Sequence, residues 1–222
     1  MGMSDHWQKA FLMWAKTDAY LTKVDRTESQ LRTLIKKHTC YVAFSGGKDS
    51  ITLLHIALQI DPNIPVFHWD YGIFMPRVFE IEIQSNLKLL GAKNVFIKAR
   101  KSKSSSCKIG YQEFFGSVAR FKHDWSFDVA LIGLRKEEGC KRTAKIKTPP
   151  KGEIYPIADW KWMDIWAYIV SRNLPYPRIY DKYAELLGYD KVRLVTFFDM
   201  EFEKYGSPYL DGFLLPEKRN DN

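Results

Sequence analysis

The spacing of apolar residues changes character near residue 40. Before it, Trp7, Phe11, Trp14 and Ala15 fall at i, i+4, i+7 and i+8, and Leu31, Leu34 and Ile35 repeat the helical period. This predicts an amphipathic helical arm over residues 1–37, packed on the body or on a second copy of the chain as a homodimer contact. After it, short β-branched and aromatic runs alternate with longer helical patterns. Cys40–Phe44, 66–69, 95–97 and 128–133 read as strands. Helices are predicted from the Ser45-Gly46-Gly47 loop to Ile60, over 78–90 with Gly91 as its stop, and over 111–122. Residues 153–156 read as a short fifth strand, Trp162, Ile165, Trp166 and Ile169 as one helix face, and Pro175-Tyr176-Pro177 as a turn. The alternation predicts an α/β fold: a doubly wound, Rossmann-like, mostly parallel sheet of about five strands with flanking helices, plus the N-terminal helical arm. One α/β domain is expected over 38–215, followed by a mobile polar tail over 216–222. In such a sheet the ligand-binding loops lie at the carboxyl ends of the strands.

Composition adds few constraints until charge is considered. At 222 residues, 45% hydrophobic and 27% charged, the chain is an ordinary globular one. Its apolar runs, such as Val129–Ile132, are far too short for a membrane span, and the first residues lack an apolar signal core. A soluble, cytoplasmic protein is expected. The net charge is +8, from 34 basic and 26 acidic residues. Residues 98–108 hold Lys98, Arg100, Lys101, Lys103 and Lys108 without an acid, and residues 135–151 hold seven basic residues against Glu137 and Glu138. Positive charge concentrated in two places points to an anionic partner, a phosphorylated small molecule or a nucleic acid. The cysteines Cys40, Cys107 and Cys140 form neither a C-x-x-C pair nor an iron–sulfur run, and His38, His55, His68 and His123 form no spaced cluster. No iron–sulfur cluster and no protein-built metal site are expected. Cys40 reads as a buried strand thiol; Cys107 and Cys140 lie among basic residues, which favour a thiolate.

The chemistry concentrates in Ser45-Gly46-Gly47-Lys48-Asp49-Ser50, between a buried strand and a helix start. Two glycines let backbone approach a ligand and turn several N–H groups to one side. The first helical turn adds unpaired N–H donors and partial positive charge, which together make a phosphate cradle. Ser45, Gly46, Gly47 and Ser50 are assigned to phosphate binding, with Lys48 adding a charge. Asp49 would repel a naked phosphate, so it either shapes the loop or faces a Mg²⁺ ion held between phosphates. The pattern is neither G-x-x-x-x-G-K-[ST] nor G-x-G-x-x-G.

In this context SGGKDS resembles the pyrophosphate-binding loop of the PP-loop ATP pyrophosphatases, the adenine nucleotide α-hydrolase-like group, and within it the phosphoadenosine phosphosulfate (PAPS) reductase family. Three further stretches occur in the family's order: Asp70-Tyr71-Gly72-Ile73-Phe74-Met75-Pro76 after strand two, Gly133-Leu134-Arg135 with Arg142 after strand four, and Tyr155-Pro156-Ile157-Ala158-Asp159-Trp160 with Asp164-Ile165-Trp166. Pro175-Tyr176-Pro177 and Tyr180-Asp181 resemble the turn that follows. The resemblance implies an adenine nucleotide as ligand (ATP, or adenosine phosphosulfate or PAPS) with Mg²⁺, and places Gly133 and Arg135 at its phosphate or sulfate end. Lys48, Asp49 and Arg135 are the catalytic candidates; Lys141 and Arg142 complete a clamp on developing negative charge, and Asp70, ending strand two, meets the ribose or the metal. Two departures matter. Arg77-Val78 stands where the family carries Glu-Thr, and the 82 residues after Cys140 contain no cysteine to take sulfite. The expectation is therefore an enzyme that transfers the adenylyl group of ATP to an unidentified acceptor with release of pyrophosphate. A sulfonucleotide reductase or sulfurylase-type enzyme without its own C-terminal cysteine is the alternative, and a nucleic-acid-modifying or nucleotide-dependent regulatory protein is the third.

Overall fold

The computed structural model describes residues 2–103 and 106–192, apart from the side chains of Cys107 and Leu186. The expected polar tail and the upper limit of the α/β domain lie outside these residues. Five strands, β1 (Cys40–Phe44), β2 (Val66–Asp70), β3 (Val95–Ala99), β4 (Val129–Ile132) and β5 (Glu153–Ile154), form one parallel sheet in the order β3-β2-β1-β4-β5. The direction of winding reverses between β1 and β4. That switch point opens a crevice between the loops that leave the two strands.

Eight helices accompany the sheet: α1 (Asp5–Trp14), α2 (Asp18–Lys37), α3 (Lys48–Ile60), α4 (Arg77–Leu89), α5 (Cys107–Asp124), α6 (Cys140–Lys147), α7 (Trp162–Ser171) and α8 (Ile179–Leu187). The two faces of the sheet are covered unequally. α3 is buried on most sides, with Ile51, Leu53, Leu54, Ile56, Ala57 and Leu58 in the core, because it lies between the sheet and a second layer made by α2 and α7. On the other face, strand residues Tyr41, Phe67, Trp69 and Ala130 form a smaller cluster with Phe121 of α5 and with Phe127. α5 and the short α6 do not cover that face completely, and the uncovered part becomes a cleft.

The arm is two helices, not one. α1 stops at Trp14, and Thr17 caps α2 by accepting the Tyr20 N–H at 3.4 Å. Its apolar side is taken up by the same chain: Phe11 lies over Trp166 with centroids 6.2 Å apart, and Trp7 meets Trp162 edge-on at 6.0 Å. The face formed by Trp7 and Phe11 is thus packed within one chain. Buried Asp164 pins the arrangement, accepting from Trp14 Nε1 at 2.9 Å, Lys23 Nζ at 2.5 Å and its own helix's Lys161 N–H at 2.7 Å. Trp160 and Trp166 are core residues, as their helical spacing implied.

Other differences from the sequence reading are local. β2 and β3 each run further than expected, to Asp70 and Ala99, and α5 begins at Cys107 instead of 111. α6, whose eight residues are mostly polar, was not expected as a helix, and neither was α8, although Ile179, Tyr180, Tyr183 and Ala184 are spaced as one buried helix face. Among the described residues no helix is long and apolar enough to cross a membrane. Replacing Asp164 with alanine strands the Trp14 and Lys23 donors. It should cost about 2–3 kcal/mol, read as a lower urea midpoint at unchanged m-value.

Candidate functional site

The loop after β1 is closed by its own side chains. Ser50 Oγ donates to the Gly47 carbonyl at 2.8 Å and accepts from Ser45 Oγ at 3.2 Å and the Ser45 N–H at 3.3 Å, while Ser45 Oγ accepts the Gly47 N–H at 3.4 Å. Both serines therefore shape the cradle in addition to lining it. Gly46 has φ +81°, and a Cβ there would lie 2.6–2.8 Å from side-chain atoms of Ile83 in α4, so the position requires glycine for both conformation and space. Gly47 is the N-cap of α3 and has no side chain to bond the first turn, which leaves the cap position to the backbone. Tyr180 of α8 accepts the Lys48 N–H at 3.1 Å. Behind the loop, buried His68 of β2 joins the carbonyl of Phe44, at 2.9 Å from Nδ1, to the buried Glu80 of α4, at 2.9 Å from Nε2.

From the other side of the crevice comes β4. A Cβ on Gly133 would lie 3.0 Å from the backbone carbon and oxygen of Asp49, so this glycine is what lets the end of β4 approach the first turn of α3. Arg135, two residues on, is buried. Its Nε donates to Asp49 Oδ1 at 2.5 Å and its Nη1 to Glu137 at 2.6 Å. The other Asp49 oxygen takes the buried Lys48 ammonium at 2.9 Å. Burial alone would raise the Asp49 pKa, but the Lys48 and Arg135 charges outweigh it and hold the carboxyl down at about 2. Burial pushes the Lys48 ammonium below its ordinary range, with Asp49 opposing and Arg135 reinforcing the shift.

This geometry revises several expected roles. Lys48 and Arg135 are paired with Asp49 and do not line the cleft. Asp49 shapes the loop, with each oxygen engaged, and no group of three His, Cys, Asp or Glu side chains suited to a metal occurs among the described residues. The side chains at the loop thus do not fit a protein-held Mg²⁺ site. Asp70 accepts from Arg77 Nη1 at 2.7 and 2.8 Å and from the Gly72 N–H at 2.8 Å. Against the effect of burial, the Arg77 hydrogen bonds hold its carboxyl below the usual range. Arg77, the residue that departs from the resembled pattern, is what commits Asp70. Lys141 is exposed and off the cleft, and Arg142 reaches the cleft while bonded to Glu138 at 2.5 Å. Cys40 is buried, which pushes its thiol up to about 11, and Cys140 is exposed.

Ser45, Gly47, Asp49, Ser50 and Gly133 line one end of a cleft of about 410 Å³, within the range of small-molecule sites. Tyr41, Phe67, Trp69, Phe114, Phe115 and Ile132 form its apolar wall, and Lys122, Arg142, Lys145 and Lys151 its basic rim. The cleft can take a ligand with an anionic end, against the loop, and a flat apolar end, against the wall. Motif spacing did not reveal the wall. Its signal in the sequence was the alternation of Tyr41, Ala43, Phe67 and Trp69 in β1 and β2, which marks one strand face without saying that α5 leaves it partly open.

The sequence profile described as the phosphoadenosine phosphosulfate reductase domain matches residues 39–192. An uncharacterized protein of Methanocaldococcus jannaschii is 25% identical over 214 residues, 81% of this chain and 51% of its own length, so the chain spans about half of that relative. The adenosine 5'-phosphosulfate reductase of Bacillus cereus (strain 03BB102) is 23% identical over 203 residues, 82% of this chain and 86% of its own. Among solved structures, the FMN adenylyltransferase of Candida glabrata in complex with FAD and inorganic pyrophosphate superposes with a TM-score of 0.56 at 14% identity, covering 78% of this chain and 66% of its own. That likeness shows the α/β fold.

Two predictions follow from the packing at the crevice. Gly133→Ala places a methyl group against the α3 backbone and should cost about 1–3 kcal/mol of stability, read by chemical denaturation. Asp49 has a depressed folded pKa, so its contribution is present above the unfolded value near 4 and is lost as pH falls toward 2. The stability difference between the natural protein and Asp49→Asn, about 2 kcal/mol from this term at pH 6, should shrink steadily as unfolding is repeated from pH 5 to pH 2.

Proposed function

The chain belongs to the phosphoadenosine phosphosulfate reductase domain family, and on that premise we propose that it binds ATP in the cleft and transfers the adenylyl group to an acceptor, releasing pyrophosphate. The observation that carries this reading is the cleft itself, with the Gly46–Gly47 loop and the α3 N-terminus at one end and an aromatic wall at the other. Pyrophosphate lies against the loop, where backbone N–H groups and the helix dipole favour its charge. The purine occupies the apolar wall. Lys48 and Arg135 keep Asp49 from presenting an uncompensated negative charge beside the phosphates, and Arg142, from the rim, faces the α-phosphate. The acceptor hydroxyl or other nucleophile attacks the α-phosphorus, the bond from that phosphorus to the α–β bridging oxygen breaks, the pyrophosphate keeps the electron pair, and the acceptor proton passes to solvent. Positioning and charge stabilisation supply the catalysis. Mg²⁺ enters on the phosphates of the nucleotide. The adenylyltransferase of the same fold, which was solved with inorganic pyrophosphate, agrees with this reading.

A sulfonucleotide reaction is the second reading, favoured by the likeness to the adenosine 5'-phosphosulfate reductase over 82% of this chain. With no cysteine after Cys140, the thiol that takes the sulfite group comes from Cys107, the exposed Cys140, or a separate protein.

A thermal-shift series with ATP, ADP, adenosine phosphosulfate and PAPS, each with and without Mg²⁺, separates the two readings. ATP at 100 times its Kd should stabilise the protein by about 2.7 kcal/mol, and Ser45→Ala combined with Asp49→Ala should abolish the shift while circular dichroism stays native. An unchanged ATP affinity in the double variant sinks the loop assignment. Preference for a sulfonucleotide, with thiol-dependent sulfite release, replaces the adenylyl reading by the second one.

A further inference from the structure

The end of the cleft away from the loop carries two polar groups that the fold itself does not use up. Tyr41 of β1, Ala130 of β4 and Glu153 of β5 pair in register across the parallel sheet, so their side chains stand in one row on the face that lines the cleft. Tyr41 precedes Ser45 by four residues, which puts this row about 13 Å from the loop at the rise of a strand. A nucleotide whose phosphates meet the loop brings its base to that depth.

Tyr41 is 2% exposed, with its ring held edge-on to Phe121 at 5.1 Å and tilted against Phe127 at 5.3 Å. Its hydroxyl has no hydrogen-bond partner among the described residues and opens on the cleft. Buried hydroxyls ordinarily have one. Burial and the Glu153 charge push the phenol up to about 12, so it keeps its proton and can donate. Glu153 Oε2 accepts from the Tyr155 hydroxyl at 2.5 Å and meets Lys145 Nζ at 2.8 Å. Its Oε1 accepts no hydrogen bond among the described residues. Ala130, between the two, adds only a methyl group. The outer strands of the three lie about 10 Å apart, so the row is a slot with a donor on one side and an acceptor on the other.

We infer that Tyr41 and Glu153 are the specificity-determining pair of the cleft: the Tyr41 hydroxyl donates to a ring nitrogen of the base, and Glu153 Oε1 accepts from the exocyclic amine beside it. Adenine offers this edge in its 1-nitrogen and 6-amino group. The assignment rests on the ATP reading of the cleft and adds how the base is chosen. A base without the amine leaves the Glu153 oxygen unpaired, and a site built to hydrogen-bond a group rejects the analogue that lacks it.

The test compares ATP, purine riboside 5'-triphosphate, which lacks the 6-amino group, and inorganic tripolyphosphate, by titration calorimetry on the full chain. The natural protein should bind ATP about tenfold tighter than the purine riboside analogue, and Glu153→Ala should reduce that preference to within about twofold. Tyr41→Phe should weaken ATP about fivefold and leave tripolyphosphate, which reaches only the loop, unchanged. ATP binding that is indifferent both to the amine and to Tyr41→Phe overturns the inference and leaves the ATP reading standing. Equal losses of ATP and tripolyphosphate affinity in Tyr41→Phe mark a purely structural tyrosine and overturn it too. Tripolyphosphate binding without ATP binding in the natural protein overturns the ATP reading itself, and this assignment with it.

Discussion

The approach of β4 to the first turn of α3 organises the rest of the molecule. Gly133 brings the two backbones within 3.0 Å of where a Cβ would sit, and Asp49, between Lys48 and Arg135, ties the helix start to the strand end. Lys48 and Arg135 compensate the half-buried Asp49, and Glu137 takes another edge of Arg135, so the Asp49 charge does not oppose the partial positive charge of the helix terminus. The same contacts that close the crevice structurally therefore make it attractive to an anion. They also explain why Lys48 and Arg135 do not line the cleft: at a buried turn, a lysine or arginine without a carboxylate is more costly than one committed to a neighbour.

The unequal covering of the sheet follows from how the chain uses its apolar residues. The arm, α7 and α8, with Trp160 just before α7, bring Phe11, Trp160, Trp166, Tyr180 and Tyr183 into one cluster that also takes in α3. α5 is left on the opposite face with only the short, polar α6 beside the cleft. A helix is only about 10 Å across, so strand residues beside it stay partly open and become the apolar wall of the cleft. Asp164 belongs to this economy of placement. It resembled a family signature in the sequence, and in the structure it holds the arm down and thereby closes the thick side, leaving the thin side for ligand.

How much of this was legible in the sequence differs by element. β1, the loop, α3 and β4 were readable because a buried strand needs continuous apolar residues and a phosphate loop needs glycines at fixed offsets. The parallel sheet followed from alternation alone. α8 was legible in the spacing of Ile179, Tyr180, Tyr183 and Ala184, beyond the Pro175-Tyr176-Pro177 turn, whereas α6 was not. α6 buries no residue fully among those described, so nothing in its composition had to be periodic. The break at 15–17 in the arm depended on a capping threonine that a helical period does not register. Composition and spacing determined the fold class, the position of the phosphate loop and the presence of two basic segments, because each of these is a property of neighbours in the chain. Tertiary structure decided which charges face a ligand and which are used up internally. Arg135 reaches Asp49 across 86 positions of sequence, and Arg77 commits Asp70 from the start of the next helix. Pairings of that kind arise only when the strand order brings distant ends together, and no local pattern encodes them.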